Sequence, residues 1–463
     1  MRRPRELLDG RPRWRSRGRS LVDRLPWRLE RKRTERRRRR RRRAWRAAAA
    51  TAAVGWYAAD SLRHRREGAF GYNLETEIEV GSGDFVRAAE ALTGAPISEG
   101  NDVELLINGD RIFPAFLETI RSAERTLCAL TYVYWRGDIA REVAAAISER
   151  ARAGVECNVI VDALGAAKMD LSLVRDMEDA GVRVIRFRPP KPYALRRLAN
   201  RTHRRALIAD GRVGMTGGVG IASEWEGDAE DADHWRDTHV RVRGPVVRGL
   251  QGAFAESWLE ATGEVLAGDG YLPDLEPLEN GGRMQLVRSS AGVGDTNIEA
   301  LYYLAIASSS RTLEITAAYF VPRPAFVEAL TKAADRGVAV RILVPGPHTD
   351  KEFVRIAGRA AYEQLLEAGV RLFEYQPTML HAKTMVVDGT WASVGTVNFD
   401  NRSFQLHDEV TLCVWDEEFA SLLTEAFEAD LERSEEIDPA RWKDRGAHRR
   451  LAEVSSTVFR REL

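Results

Sequence analysis

The stretch MLHAKTMVVDGTWASVGTVNFDNRSFQLHDEV, residues 379–410, sets His381, Lys383 and Asp388 in an H-x-K-x4-D spacing. A glycine turn follows at Gly395 and Thr396, then Asn398, then Glu409. Alternate residues of an extended chain face the same side, so His381 and Lys383 project together. A histidine and a lysine two apart are a weak signal alone; a second copy makes the signal strong. RTHRRALIADGRVGMTGGVGIASEW, residues 201–225, places His203, Arg205, Asp210, Gly211 and Gly217 each 178 positions ahead of His381, Lys383, Asp388, Gly389 and Gly395. Two positions differ: Arg205 replaces the lysine, and Gly220 stands where the second copy has Asn398.

The surrounding chain repeats as well. ARAGVECNVIV (151–161) aligns with ADRGVAVRILV (334–344), and EDAGVRVIRF (178–187) with LEAGVRLFEY (366–375). In each copy, helical spacing of apolar residues alternates with short apolar runs. That alternation predicts βαβ units and a largely parallel sheet covered on both faces. The expected fold class is α/β: two pseudo-twofold-related sandwich domains with one active site at their interface. Expected limits are 68–265 and 266–440. The join falls where Gly and Pro collect in GDGYLPDLEPLENGG, residues 268–282.

Net charge of +1 conceals two unlike parts. Residues 1–67 hold 25 Lys/Arg against 7 Asp/Glu, leaving 45 basic and 62 acidic residues in the remainder. Arg36–Arg43 is an unbroken arginine run, which repels itself and cannot form a core, so the arm is read as disordered until it meets an anionic surface. As a helix, residues 47–59, AAAATAAVGWYAA, would be roughly 20 Å long, short of the ~30 Å hydrocarbon layer. Peripheral attachment to an anionic membrane, with the body on the cytoplasmic side, is the preferred expectation. A single tilted span would place the body outside the cytoplasm. Nucleic-acid binding by the arginines ranks third, since phosphate backbones attract the same charge; for the body, its acidic balance argues against a nuclease groove. Residues 441–463 form a basic tail. Cys128, Cys157 and Cys413 lie far apart in apolar runs and are expected to be buried thiols. With no C-x-x-C or Cys/His cluster, neither a metal nor another cofactor is expected, and no obligate protein partner is evident.

Two imidazoles and two cations facing each other suit a phosphodiester. Cations hold the phosphoryl oxygens as charge builds on them. One imidazole attacks phosphorus while the other protonates the leaving alcohol. Each histidine needs a carboxylate orienting its other nitrogen. Within its own copy, Glu409 is the candidate for His381, and Asp237, in HWRDTHVRV, for His203. The catalytic set is therefore His203, His381, Lys383, Arg205, Asp237 and Glu409, with Asp210 and Asp388 completing the motifs. The two aspartates also sit before glycines, where a turn-stabilising role suits them. Arg205, Lys383, Asn398, Gly217 and Gly395 are the candidate phosphate-binding residues. His234 and His239 flank Asp237 and come into consideration for the cleft. Tyr132, Tyr134, Trp135, Tyr319 and Phe320 are candidates for its mouth or for the core.

The duplicated H-x-K-x4-D motif with G-[ST]-x-N behind it resembles the phospholipase D superfamily. ITAAYFVPRPAF, RILVPGPHTD, FEYQPTMLHAKTMVVDG, NFDNRSFQLHDE, THRRALIADGRVGMTGG and HWRDTH resemble bacterial cardiolipin synthases, over roughly residues 100–445. The resemblance implies a phosphatidyl-histidine intermediate, transfer between phosphatidylglycerol molecules with release of glycerol, His203 as nucleophile and His381 as acid/base. Three departures stand out: Arg205, Gly220, and His407 where those enzymes usually carry asparagine. Rival expectations are hydrolysis of a phospholipid, or less favourably of nucleic acid, by the same site, and a membrane-bound scaffold with a decayed first half.

Overall fold

The second-half motif lies in a hairpin whose geometry follows from its turn. Asp388 takes φ 54 and Gly389 φ 67, both left-handed, so the chain reverses within two residues and the flanking strands must pair antiparallel. Asp210 and Gly211 do the same in the first half, at φ 54 and φ 63. A computed structural model of the protein describes residues 72–190, 199–291 and 296–444. The arginine-rich arm, its apolar segment and residues 445–463 of the tail lie outside the described residues. Among the described residues no helix is long and apolar enough to cross a membrane.

The first half contributes β1 (Ile97–Ile107), β2 (Thr126–Thr131), β3 (Glu156–Asp162), β4 (Arg183–Phe187), β5 (Arg201–Thr202), β6 (Ala206–Ala209), β7 (Val213–Gly217) and β8 (Thr238–Arg243). The second half contributes β9 (Gly282–Ser289), β10 (Thr312–Ala317), β11 (Ala339–Pro345), β12 (Arg371–Tyr375), β13 (Lys383–Val387), β14 (Trp391–Gly395), β15 (His407–Trp415) and β16 (Ser434–Glu436). One sheet joins them in the order β16-β12-β11-β10-β13-β14-β15-β9-β1-β8-β7-β6-β2-β3-β4. Read outward from the β1–β9 junction, the halves repeat strand for strand. β1 corresponds to β9, β8 to β15, β7 to β14, β6 to β13, and β2-β3-β4 to β10-β11-β12. This is the duplicated α/β sandwich that the repeat predicts.

The sheet is less parallel than expected. Along that path only β2-β3-β4 and β10-β11-β12 run parallel, each step crossing over through a helix such as Asp138–Arg152 or Pro324–Asp335, while the short β5 lies off the path and pairs in parallel with β15. The central strands are antiparallel, because hairpins without a crossover helix connect β6 to β7 and β13 to β14. The three largest apolar cores hold the assembly. One lies in the first half, one lies in the second half and takes in Val80, Phe85 and Ala89 from ahead of β1, and a third mixes both halves, setting Cys128, Leu130, Phe254 and Trp258 with Val386, Val394, Leu412 and Phe419. All three cysteines are free and buried.

Candidate active site

Each His-x-basic segment is extended chain leading into a strand, and each is clamped by the other half. Arg201 and Thr202 pair in parallel with His407 and Asp408, and His203 N–H donates to Asp408 O at 2.9 Å. Conversely, Arg236 N–H donates to Met379 O at 3.0 Å, and His381 N–H to Arg236 O at 2.7 Å. This reciprocal clamp brings His203 beside Glu409 and His381 beside Asp237. The carboxylate pairing expected within each copy is therefore reversed: each histidine is oriented by the opposite half.

His203 Nδ1 lies 3.1 Å from both Glu409 oxygens and 3.1 Å from the carbonyl of Thr396. A carbonyl only accepts, so Nδ1 carries the proton and Nε2 holds the free lone pair. Thr396 Oγ1 in turn donates to Glu409. His381 Nδ1 donates to Asp237 Oδ2 at 2.7 Å, and Asp237 also accepts from Trp225 Nε1 at 2.8 Å and from Thr238 N–H at 2.8 Å. The basic partners lie as the i, i+2 rule requires. Lys383 Nζ is 3.2 Å from His381 Nε2, while both terminal nitrogens of Arg205 stand 3.5 Å from His203 Nε2. The His203 lone pair is thus the less engaged of the two, since 3.5 Å is at the limit of a hydrogen bond.

Burial governs the charges. It pushes His203 well below its ordinary value, against the pull of Glu409, and His381 down to about 4, helped by Lys383 and opposed by Asp237. Burial also lowers Lys383 to about 7. Burial would raise both carboxylates, but the neighbouring imidazoles and their hydrogen bonds hold Asp237 and Glu409 far below the usual range. Arg205 lies within electrostatic range of both carboxylates and of His381, so the two motifs form one site.

Aromatic rings enclose it. Tyr132 meets His203 edge-on at 5.1 Å between centroids; Trp225, Trp235 and Tyr319 surround His381 at 5.3, 5.6 and 6.5 Å. Tyr319 donates to Asp350 and lies under Lys351, whose Nζ is 4.4 Å from the ring centroid. Tyr134, Trp135 and Phe320 pack into the cores instead. His239 is buried close enough to Arg205 to feel its charge, and burial holds it neutral, down to about 3. His234 is partly exposed and pairs with Asp231 and Glu230, so it takes no part.

Several sequence-predicted residues serve the frame. Asp388 accepts from the backbone N–H of Ser310, Arg311 and Thr312, and Asp210 from those of Glu124, Arg125 and Thr126. Each caps the far end of its hairpin, a whole strand away from its histidine, and ties it to the neighbouring strand's start. Neither reaches the reacting groups. Gly217 and Gly395 lie against the adjacent strand: a Cβ on Gly217 would come 2.5 Å from Thr238 O, and one on Gly395 would strike Val410 O. Their smallness lets the neighbouring strands approach closely at the ends that carry Asp237 and Glu409. Asn398 is buried, donates its backbone N–H to Ser403 Oγ at 3.1 Å, and leaves its side-chain oxygen without a hydrogen-bond partner.

Gly220 has no room for an asparagine. A Cβ there would sit 2.7 Å from Val133 Cβ and 3.0 Å from the Trp225 ring. Trp225 fills the place and supplies the first-half donor, through its indole N–H to Asp237. Trp225, Thr396, Gly218 and Arg236 were not legible as site residues. Gly218 leaves the space that the Asp237 carboxylate occupies. Arg236 is buried on Asp430 at 2.9 Å and donates to Asp237 O at 2.6 Å. Thr396, inside the G-[ST]-x-N motif, and the tryptophan just after the first glycine turn offered the sequence signals.

A duplicated sandwich with two facing His-x-basic segments defines a phospholipase D-type enzyme. Residues 302–431 match the family model described as cardiolipin synthase, PLD-like domain. The chain is 33% identical over 377 residues to the cardiolipin synthase of Geobacillus sp. strain WCH70, covering 81% of this chain and 75% of that one. It is 34% identical over 369 residues to cardiolipin synthase 2 of Bacillus anthracis, covering 79% and 72%. The chain belongs to the cardiolipin synthase family. Among solved structures, the fold is shared with phosphatidylserine synthase of Haemophilus influenzae, at a TM-score of 0.59 and 13% identity over 82% of this chain and 99% of that one.

Proposed function

We propose that the protein transfers a phosphatidyl group between two phosphatidylglycerol molecules at a membrane surface, releasing glycerol. The observation that carries this reading is the pair of tautomer-fixed histidines, each with a buried carboxylate behind it and a cation beside its free nitrogen. His203 Nε2 attacks phosphorus, and the bond to the glycerol oxygen breaks. His381, protonated on Nε2, gives its proton to that oxygen. Protonation follows substrate binding, because an anionic phosphodiester beside the ring raises its pKa. Arg205 and Lys383 hold the non-bridging oxygens. The hydroxyl of a second phosphatidylglycerol then gives its proton to His381 and displaces His203, regenerating the free lone pair.

Two anionic lipids need more positive charge than one. Lys351 and Arg402 supply it: neither has an ion pair within 4.0 Å among the described residues, Arg402 Nε is buried without a partner, and Lys351 feels Asp350 and Asp400 as well as Arg402 and Arg205. The arm of residues 1–67 attaches the enzyme to anionic lipid, and limits of 68–265 and 266–440 divide the repeat.

Purified protein is given phosphatidylglycerol vesicles, and cardiolipin, glycerol and phosphatidic acid are measured. Cardiolipin and glycerol in equal amounts support transfer. Phosphatidic acid with an equal amount of glycerol and no cardiolipin makes the protein a hydrolase, and no lipid product of either kind removes the reading. Flotation with anionic vesicles should be lost when residues 1–67 are deleted; retained flotation shifts membrane contact to the body.

A further inference from the structure

The pseudo-twofold axis equates His407 with Trp235. Both stand two residues ahead of the orienting carboxylate, and both lie against the neighbouring histidine at nearly the same angle. Trp235 is 5.6 Å from His381 at 36°, and His407 is 5.4 Å from His203 at 37°. A flat plate is all that the Trp235 position needs. His407 brings something an indole lacks, a nitrogen lone pair. Its side chain is about nine-tenths buried, and among the described residues neither ring nitrogen has a hydrogen-bond partner within 3.5 Å, with Nδ1 3.6 Å from Glu409 Oε1.

Three donors converge there. His203 Nδ1 is 3.1 Å from both Glu409 oxygens, and His407 Nδ1 is 3.6 Å from Glu409 Oε1. One ligand atom from each of the three residues lies within 4.8 Å of the others. A tetrahedral zinc ion with bonds of about 2.0–2.2 Å separates its ligand atoms by about 3.4 Å. The two spacings to Glu409 therefore bracket what such an ion requires, the two imidazole ligand atoms lie within 4.8 Å of each other, and two imidazoles with one carboxylate are a zinc-type donor set that leaves a fourth position open. At the second histidine the corresponding third donor is absent, since Trp235 and Lys383 stand there.

We propose that His203, His407 and Glu409 form a binding site for a divalent transition ion of the zinc class, and that the ion switches off the nucleophile. Binding takes the His203 Nδ1 lone pair and displaces its proton. The ring can then carry a proton only on Nε2, where the attacking lone pair was. The inhibitory part rests on the proposed transfer chemistry; the binding part does not.

The test uses the full-length protein in detergent micelles, with Co2+ as the visible probe and Zn2+ as competitor. The wild type should bind one Co2+ with the intense visible absorption of a tetrahedral site, displaced by Zn2+. His407→Asn should weaken Co2+ binding by at least about tenfold, the scale of a lost metal-site partner. His234→Ala, which breaks the exposed Glu230, Asp231 and His234 cluster, should leave it unchanged. Zn2+ should inhibit lipid turnover reversibly, and His407→Asn, scaled to its own metal-free rate, should need at least about tenfold more. Equal Co2+ affinity in His407→Asn, loss in His234→Ala alone, or no tetrahedral band overturns the proposal. Should His407→Asn fail to fold, imidazole nitrogen resonances of the wild type decide. Two shifted histidines that include neither His234 nor His348 support the site; any other pattern overturns it. The binding arm contains no lipid, so absent turnover leaves it intact, and absent binding leaves the transfer reading intact.

Discussion

Glu409→Gln should disable His203 and spare His381, although Glu409 belongs to the same motif as His381. The carboxylate is fully buried, receives His203 Nδ1–H on both oxygens at 3.1 Å, and also accepts from Thr396 Oγ1. Glutamine keeps one acceptor oxygen, loses the charge, and can turn its amide toward the ring. Losing a charged hydrogen bond alone costs about 1.5–3 kcal/mol, a rate factor of roughly 10 to 150. Where an amide stabilises the wrong tautomer of a buried catalytic imidazole, losses approach about 10⁴. The expected fall lies between these limits. The assay is rapid-quench kinetics with two acyl-labelled substrates, phosphatidylglycerol and a phosphatidyl ester of p-nitrophenol. The second leaving group departs without a proton and so bypasses the acid. Glu409→Gln should form the labelled protein adduct slowly from both substrates. Asp237→Asn should be slow with phosphatidylglycerol and recover its burst with the nitrophenyl ester. The opposite pattern would refute the crossed pairing with His203 as nucleophile. Double-mutant cycles separate those two elements. Glu409→Gln should couple to His203→Gln by about 2 kcal/mol and far less to His381→Gln. Strong coupling to His381 instead would show the pairing itself to be wrong.

Asp388→Ala should destabilise the fold by roughly 3 kcal/mol, because three backbone N–H groups and the Ser310 hydroxyl lose their acceptor. Turnover per folded molecule should stay within about twofold, and denaturant unfolding with active-site titration reads both; a selective loss of turnover would return Asp388 to the chemistry. Gly220→Asn should cost about 1–3 kcal/mol by overpacking against Val133 and Trp225, so an unchanged melting temperature would contradict the tight packing there. Burial holds His381 neutral in the fold down to about 4, whereas in the unfolded chain it gains a proton from 6.5 downward. The unfolded state therefore binds more protons between those values, and stability falls as pH falls through that window, by up to about 3 kcal/mol. His381→Gln should flatten the melting curve's pH slope there; an unchanged slope would mean that the ring charges in the fold.

The sequence by itself determined the duplication, the α/β layering and the chemical character of the site. These follow from local rules: helical and strand periodicity, glycine turns, and the same-face projection of His203 with Arg205 and His381 with Lys383. A fixed offset between copies also made the second motif findable from the first. Tertiary structure decided how the halves interlock. No local rule says that Arg201 and Thr202 pair with His407 and Asp408, or that His381 hangs from Arg236. Those backbone bonds join residues far apart in the sequence, and they hand each histidine the other half's carboxylate. The same long-range contacts removed Asp210 and Asp388 from the chemistry, because a strand's length separates each hairpin tip from its histidine. They also placed Trp225 where Gly220 leaves a gap, and set His407 against His203. Side-chain type and spacing are written along the chain, but which carboxylate meets which imidazole depends on how the two halves join in one sheet.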